Sequence, residues 1–162
     1  MSLRFSPLLP QHQDLLWNFL HIALWDPPPA GLRPLETLQL PPIRIYAENW
    51  GRASDLGVIA HIEREENPIG ACWMRLLPDG MGLAYIDEQT PQLLGIALLP
   101  AYQHMGFGKV MMLAALDAAR QRGVKQVSLT VHPQNPAAGM YSSCGFVQTG
   151  IRNSYLLMQV KL

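Results

Sequence analysis

Gln103-His104-Met105-Gly106-Phe107-Gly108-Lys109 constrains this chain more than any other segment, because of what lies on either side of it. The apolar run Leu93-Leu94-Gly95-Ile96-Ala97-Leu98-Leu99-Pro100 precedes it and reads as a strand. Val110-Met111-Met112-Leu113-Ala114-Ala115-Leu116 follows and reads as a helix that stops near Gly123. A strand, a glycine-spaced turn and a helix in that order build an anion site. The first N–H groups of a helix lack internal partners and carry the positive end of its dipole. Glycines at 106 and 108 let the backbone approach a bulky diphosphate closely. A phosphorylated cofactor is therefore expected here. An ordinary strand–helix connection with two turn glycines is the competing reading.

Two familiar phosphate loops do not fit. A P-loop, G-x-x-x-x-G-K-[ST], would place its first glycine at Gln103 and its hydroxyl residue at Val110. A dinucleotide fingerprint, G-x-G-x-x-G, would need glycine where Met111 stands. What remains is Q-x-x-G-x-G.

A second segment adds to it. Gln126-Val127-Ser128-Leu129-Thr130-Val131 alternates, is rich in β-branched residues and reads as a strand. It leads into His132-Pro133-Gln134-Asn135-Pro136-Ala137-Ala138-Gly139-Met140-Tyr141-Ser142-Ser143-Cys144-Gly145-Phe146. Asn135 suits an N-cap, Pro136 the first helical position and Gly145 the C′ position.

With Q-x-x-G-x-G first and N-x-x-A…Y-x-x-x-G-F second, the chain resembles the GNAT superfamily of N-acetyltransferases from about Leu93 to the C-terminus. Asn135, Ala138, Tyr141, Gly145 and Phe146 carry the second match. Asn135 and Tyr141 stand one residue closer together than in the commoner form of the motif.

The resemblance implies an α+β fold, a single GNAT domain over residues 1–162. It implies a mixed, mostly antiparallel sheet of about seven strands, splayed between its two parallel central strands, with helices on both faces. It implies acetyl-CoA as acyl donor and a primary amine as acceptor, joined by direct attack in a ternary complex. Ile96, Ala97 and Leu98 would meet the pantetheine arm through their backbone, and the Leu98 N–H would face the oxyanion. Gln103, His104, Met105, Gly106, Phe107, Gly108 and Lys109 would wrap the diphosphate. Asn135 and Tyr141 would complete the cofactor contacts, with Tyr141 as acid to the leaving thiolate. A homodimer is expected by family habit.

Acetyl transfer needs a neutral amine, a stabilised oxyanion and a departing thiolate. Many family members carry Glu at the start of the strand before the phosphate loop, where this chain has Gln92. An amide accepts no proton, so Asp87 and Glu88 just upstream are the candidate bases, with Glu48 and Glu63 as further options. Gln92 also keeps open an alternative: a CoA-binding or regulatory domain of this fold with little catalysis.

Composition narrows the partners. The chain has 162 residues, one domain's worth, and 49% of them are hydrophobic. Twelve Lys and Arg balance twelve Asp and Glu, with no basic cluster, so a nucleic-acid partner is not expected. No long apolar run predicts a membrane span, and no h-region follows Met1-Ser2-Leu3-Arg4-Phe5, so a cytoplasmic protein is expected. No His, Cys, Asp and Glu spacing suggests a metal; His12 and His21 read as structural. Cys72 and Cys144 read as two buried thiols.

The rest of the chain reads as strand 3–9, helix 11–25, short helices 35–40 and 43–50, and a hairpin 56–63 with 69–77. A long connection from 78 to 91 follows, with a short strand at 83–86. Strand 92–99, helix 107–122, strand 125–131, helix 136–144 and strands 146–151 and 154–161 complete it. The acceptor would be set by residues 20–90, where Trp25, Tyr46, Trp50, Trp73 and Tyr85 supply apolar walls and Tyr46 to Arg52 one side of a pocket.

Overall fold

The computed structural model describes residues 2–78 and 80–162. Met1 at the chain start and Asp79 in the 78–91 connection lie outside the described residues.

The sheet has seven strands, of which the central β2 and β3 are buried on both faces: β1 (Leu3–Pro7), β2 (Leu56–Ile62), β3 (Pro68–Arg75), β4 (Gln92–Leu98), β5 (Gln126–Val131), β6 (Val147–Arg152) and β7 (Tyr155–Lys161). They form one sheet in the order β1-β2-β3-β4-β5-β7-β6. Every neighbouring pair is antiparallel except β4 and β5. The helices are α1 (Gln13–Ala23), α2 (Pro41–Arg44), α3 (Phe107–Gln121) and α4 (Ala137–Ser143).

Helical spacing decides which face each helix covers. In α1, Leu16, Phe19 and Leu20 are buried against Ile59, Ala71, Trp73 and Ala97 on one face of the sheet. In α3, Met111, Met112, Ala115, Leu116 and Ala119 bury against Val58, Cys72, Leu129 and Val131 on the other. Tyr141 of α4 joins that second layer. Both thiols are free, Cys72 buried and Cys144 half-buried.

Two expected elements differ. Residues 83–86 form no strand, because their carbonyls are taken by side chains: Ser128 Oγ donates to Ala84 O at 2.7 Å, and Arg152 Nη1 to Leu83 O and Tyr85 O at 3.1 and 2.9 Å. Helix over 43–50 shrinks to α2 and a run of turns. There the carbonyls of Ile45, Glu48 and Asn49 accept from the Arg75 guanidinium, at 2.9, 2.8 and 3.3 Å.

The feature that matters for function is between β4 and β5. Their parallel ladder holds a single pair, Gln92 with Ser128, and then the strands part. A β-bulge on β4 contributes: Trp73 pairs Gly95 and Met74 pairs Leu93, so Leu94 is left without a partner on β3. Gly95 is required at that bend, since a Cβ there would lie 2.4 Å from Trp73 Cη2. Gly95→Ala should therefore destabilise the fold by about 1–3 kcal/mol. An unchanged thermal midpoint would show that Trp73 yields freely.

Candidate active site

The parted strands open a cleft of about 260 Å³ lined on β4 by Leu93 to Ile96, on β5 by Leu129 to Val131 and, just past β5, by His132. Beyond Gln92, the β5-facing backbone groups of β4 have no ladder to join. Of the three residues expected to present backbone, Ile96 lines the cleft, while Ala97 is buried and Leu98 half-buried on the same strand.

The glycine turn stands at the end of β4. His104 and Gly106 adopt left-handed backbone, at φ +62° and +80°, and Gly106 caps α3 with no side-chain cap. Among the described residues, the backbone N–H groups of His104, Gly106, Phe107, Gly108 and Lys109 donate to no acceptor, while Met105 closes the turn over Gln103 and His104. Such a row of free amides at a helix start is an anion cradle. The turn has room for a ligand: a Cβ on Gly106 would meet nothing within 4 Å, and one on Gly108 only Met140 Cε at 3.6 Å. Lys109, His104 and Met105 are exposed, and Phe107 packs at the edge of the core. Gln103 braces the turn against β4, its Nε2 donating to Leu98 O at 2.9 Å and its N–H to Pro100 O at 3.3 Å.

Tyr141 and Asn135 both line the cleft. Asn135 Oδ1 accepts the Ala137 N–H at 2.9 Å and so orders the turn that leads into α4. Tyr141 is buried, its ring 6.0 Å from that of Phe146, and its hydroxyl has no hydrogen bond among the described residues. Burial, and then the neighbouring Cys72 and Cys144 thiols, push the phenol well above its usual range. It stays protonated at any pH the protein meets, so it can donate and cannot act as a base.

The carboxylates do not converge here. Asp87 and Glu88 are exposed, and neither lines the cleft. Asp87 Oδ1 accepts the N–H groups of Gln89 and Thr90 at 2.9 and 2.8 Å. Its hydrogen bonds with Thr90 and Gln89 hold its carboxyl below the usual range, so it closes a turn and makes a weak base. Glu48 pairs with Arg44 at 2.9 Å, and Glu63 is exposed. Gln92 is buried and does not line the cleft; its Nε2 donates to Met81 O at 2.9 Å and pins the 78–91 connection.

Other residues fill the opposite wall. Trp25, Arg33, Ile43, Tyr46, His132 and Tyr155 line the cleft on the α1 side. Trp25 and Tyr46 belong to the aromatic set expected there, whereas Trp50 and Trp73 are core. Trp73 Nε1 donates to Tyr46 O at 2.9 Å and fixes that wall. Arg33 is held bidentately by Asp26 at 2.8 and 2.9 Å, and His21 Nε2 lies 2.6 Å from Arg33 O. His12 Nδ1 accepts the Leu9 N–H at 2.8 Å. Sequence reading missed His132 and Tyr155. The signal was period two: Thr130 and His132 share a sheet face with Tyr155 and Leu157 across the β5–β7 ladder.

The turn, the parted strands and the seven-stranded order define a class, and comparison with known proteins agrees. The chain belongs to the acetyltransferase (GNAT) family, whose model matches residues 17–146. It is similar to the ribosomal protein bS18-alanine N-acetyltransferase of Haemophilus influenzae, 37% identical over 70 residues, which are 43% of this chain and 47% of that one. It is also similar to the mycothiol acetyltransferase of Thermomonospora curvata, 31% identical over 134 residues, 82% of this chain and 40% of that one. The chain thus matches less than half the length of either relative. In fold it resembles the PaiA N-acetyltransferase of Thermoplasma acidophilum in complex with coenzyme A, at TM-score 0.67 and 20% identity over 100% of both chains. The Escherichia coli ribosomal-protein-S18-alanine N-acetyltransferase gives TM-score 0.68 at 19% identity, covering 99% of this chain and 94% of that one.

Proposed function

We propose that the chain is an acetyl-CoA-dependent N-acetyltransferase acting on a primary amine. The observation that carries this reading is the pairing of β4 with β5 at one residue pair only, together with a helix start after β4 whose amides are free among the described residues. Acetyl-CoA supplies the activated acyl group. The free amides of the 104–109 turn hold the diphosphate, braced by Gln103. The unpaired edge of β4 from Ile96 to Leu98 takes the pantetheine amides as an added strand would. Asn135 orders the start of α4 and thereby Tyr141.

Tyr141 acts on the leaving sulfur. An ordinary thiol has a pKa of about 8.5, and the Tyr141 phenol lies far above that. Full proton transfer from phenol to thiolate is therefore uphill. The hydroxyl stabilises developing sulfur charge by hydrogen bonding, and solvent delivers the proton. Tyr141→Phe should lower kcat by about tenfold to a hundredfold with little change in KM for acetyl-CoA. An unchanged kcat would remove Tyr141 from the chemistry.

No carboxylate lines the cleft among the described residues. On this reading the amine enters neutral or loses its proton to water. Release of free thiol from acetyl-CoA across a panel of amines tests the whole proposal. Tight coenzyme A binding with no turnover on any amine would favour a cofactor-binding domain instead. The reading extends to a cytoplasmic homodimer with neither nucleic acid nor membrane as partner. The balanced charge of the chain supports the former exclusion. Among the described residues, no helix is long and apolar enough to cross a membrane, and no His, Cys, Asp and Glu group is placed to hold a metal.

A further inference from the structure

The α1-side wall of the cleft has a chemistry of its own. His132 follows the last residue of β5 and sits between two rings, 5.5 Å from Trp25 and 5.7 Å from Tyr155 by centroid. Its Nδ1 accepts the backbone N–H of Gln134 at 3.0 Å. A backbone N–H can only donate, so Nδ1 must offer its lone pair. The neutral ring then carries its hydrogen on Nε2. That second nitrogen has no protein partner among the described residues and is not sealed from solvent. His132 thus offers the cleft a donor and no lone pair, which rules it out as the base in this tautomer.

Its neighbours point the same way. Asp26 occupies Nε and Nη2 of Arg33, and the Tyr155 hydroxyl lies beside the same guanidinium. Tyr46 and Tyr155 add two hydroxyls. The carboxylate nearest these donors is Asp26, which is outside the lining and already neutralised by its two bonds from Arg33. A polyamine would find no counter-charge for its remote ammonium. An acceptor with an oxygen beside its amine would find several donors at once.

We infer that His132 positions the acceptor by donating Nε2–H to a carbonyl oxygen next to the reactive amine, so that the substrate class is the α-aminoacyl group. This rests on the acetyltransferase reading above. The group could come from the N-terminus of a peptide or from a free amino acid, in which a carboxylate oxygen takes the place of the carbonyl.

The test uses the chain with acetyl-CoA and five acceptors: alaninamide, an alanyl dipeptide, free alanine, sec-butylamine and putrescine. Rates are expressed per neutral amine, because the carbonyl lowers amine basicity. The wild type should favour the best carbonyl-bearing acceptor over sec-butylamine and putrescine by about tenfold or more, the size of one hydrogen bond. His132→Phe keeps a ring between Trp25 and Tyr155 but loses the donor. It should lose at least about tenfold more kcat/KM on the carbonyl-bearing acceptors than on sec-butylamine, mainly through KM. His132→Gln, which retains a side-chain N–H, should recover part of that loss. Preference for free alanine would mark the amino acid as the source, and preference for the amide or dipeptide a peptide N-terminus; either supports the inference. A wild type that accepts sec-butylamine or putrescine equally well overturns it and leaves acetyl transfer standing. So does an undiminished preference in His132→Phe with an unchanged thermal midpoint. If no amine is acetylated, the acetyltransferase reading falls, and this inference with it.

Discussion

Gly108→Glu should weaken coenzyme A binding by about a hundredfold or more while leaving the fold intact. The two halves of this result come from separate observations. Gly108 lies in the first turn of α3, and a Cβ there would touch only Met140 Cε at an ordinary 3.6 Å. A carboxylate in the first turn of a helix also favours its dipole, by about 0.3–1 kcal/mol. Stability should therefore hold or rise slightly. For a diphosphate the same carboxylate is the wrong sign in the wrong place. It adds bulk over the free amides, and repulsion between like charges about 4 Å apart ranges from about 1 kcal/mol in water to about 4 kcal/mol near a protein surface. Summed over two phosphates, a loss of about a hundredfold or more in affinity is expected. Titration calorimetry with coenzyme A, beside a melting curve, reads both halves. Wild-type affinity would mean that the diphosphate sits elsewhere. Gly106→Glu should lose affinity as well, but its φ of +80° adds backbone strain of about 1–2 kcal/mol, so it is the less clean variant.

Arg75→Met should cost about 3–5 kcal/mol of stability, the usual result of removing one partner from a buried ion pair. Arg75 is fully buried, and its guanidinium grips Asp55 at 3.0 and 2.7 Å and stacks 5.2 Å from the Trp50 ring. Losing it strands the Asp55 carboxylate with only the Gly51 and Arg52 amides, each at 2.9 Å. It also frees the carbonyls of Ile45, Glu48 and Asn49, and so loosens the wall that presents Tyr46 to the cleft. A raised KM for the amine should accompany the lost stability. The pH dependence has a definite sign. Burial works against the Asp55 carboxylate, but Arg75 and the two amides outweigh it and hold its pKa below the ordinary value. A depressed folded-state pKa gives stability that is complete above the unfolded value of about 3.9 and is lost as pH falls through the folded one. The gap between wild type and Arg75→Met in denaturant titrations should thus be widest near neutrality and narrow below about pH 4. A gap unchanged down to about pH 2 would mean that Arg75 acts by packing alone.

Much of the architecture could be read from residue order. The seven strands, the two long helices and the turn between β4 and α3 lie within a few residues of where alternation and helical spacing put them. The turn itself was legible because its signal is local: glycine for left-handed backbone, and a helix start for free amides. Carboxylates were another matter. Asp87 and Glu88 looked suitable by their place before β4, yet Asp87 is spent on its own turn and Glu88 faces solvent. Gln92, which invited attention for lacking a charge, turned out to be a sealed brace. Arg75 reads in sequence as the end of a strand, and nothing local tells that five acceptor atoms from the Ile45–Asp55 region surround it.

By itself, the order of residues determined the family, the element pattern and the anion-binding turn, since each depends on neighbours within about one helical turn or one strand. Tertiary structure alone decided the donor-lined acceptor wall. Trp25, Arg33, Tyr46, His132 and Tyr155 come from five separate stretches of chain, and only the parting of β4 from β5 leaves a space that they share. Contact across such distances in sequence follows from how the sheet bends and which helix covers it, and no local preference encodes that.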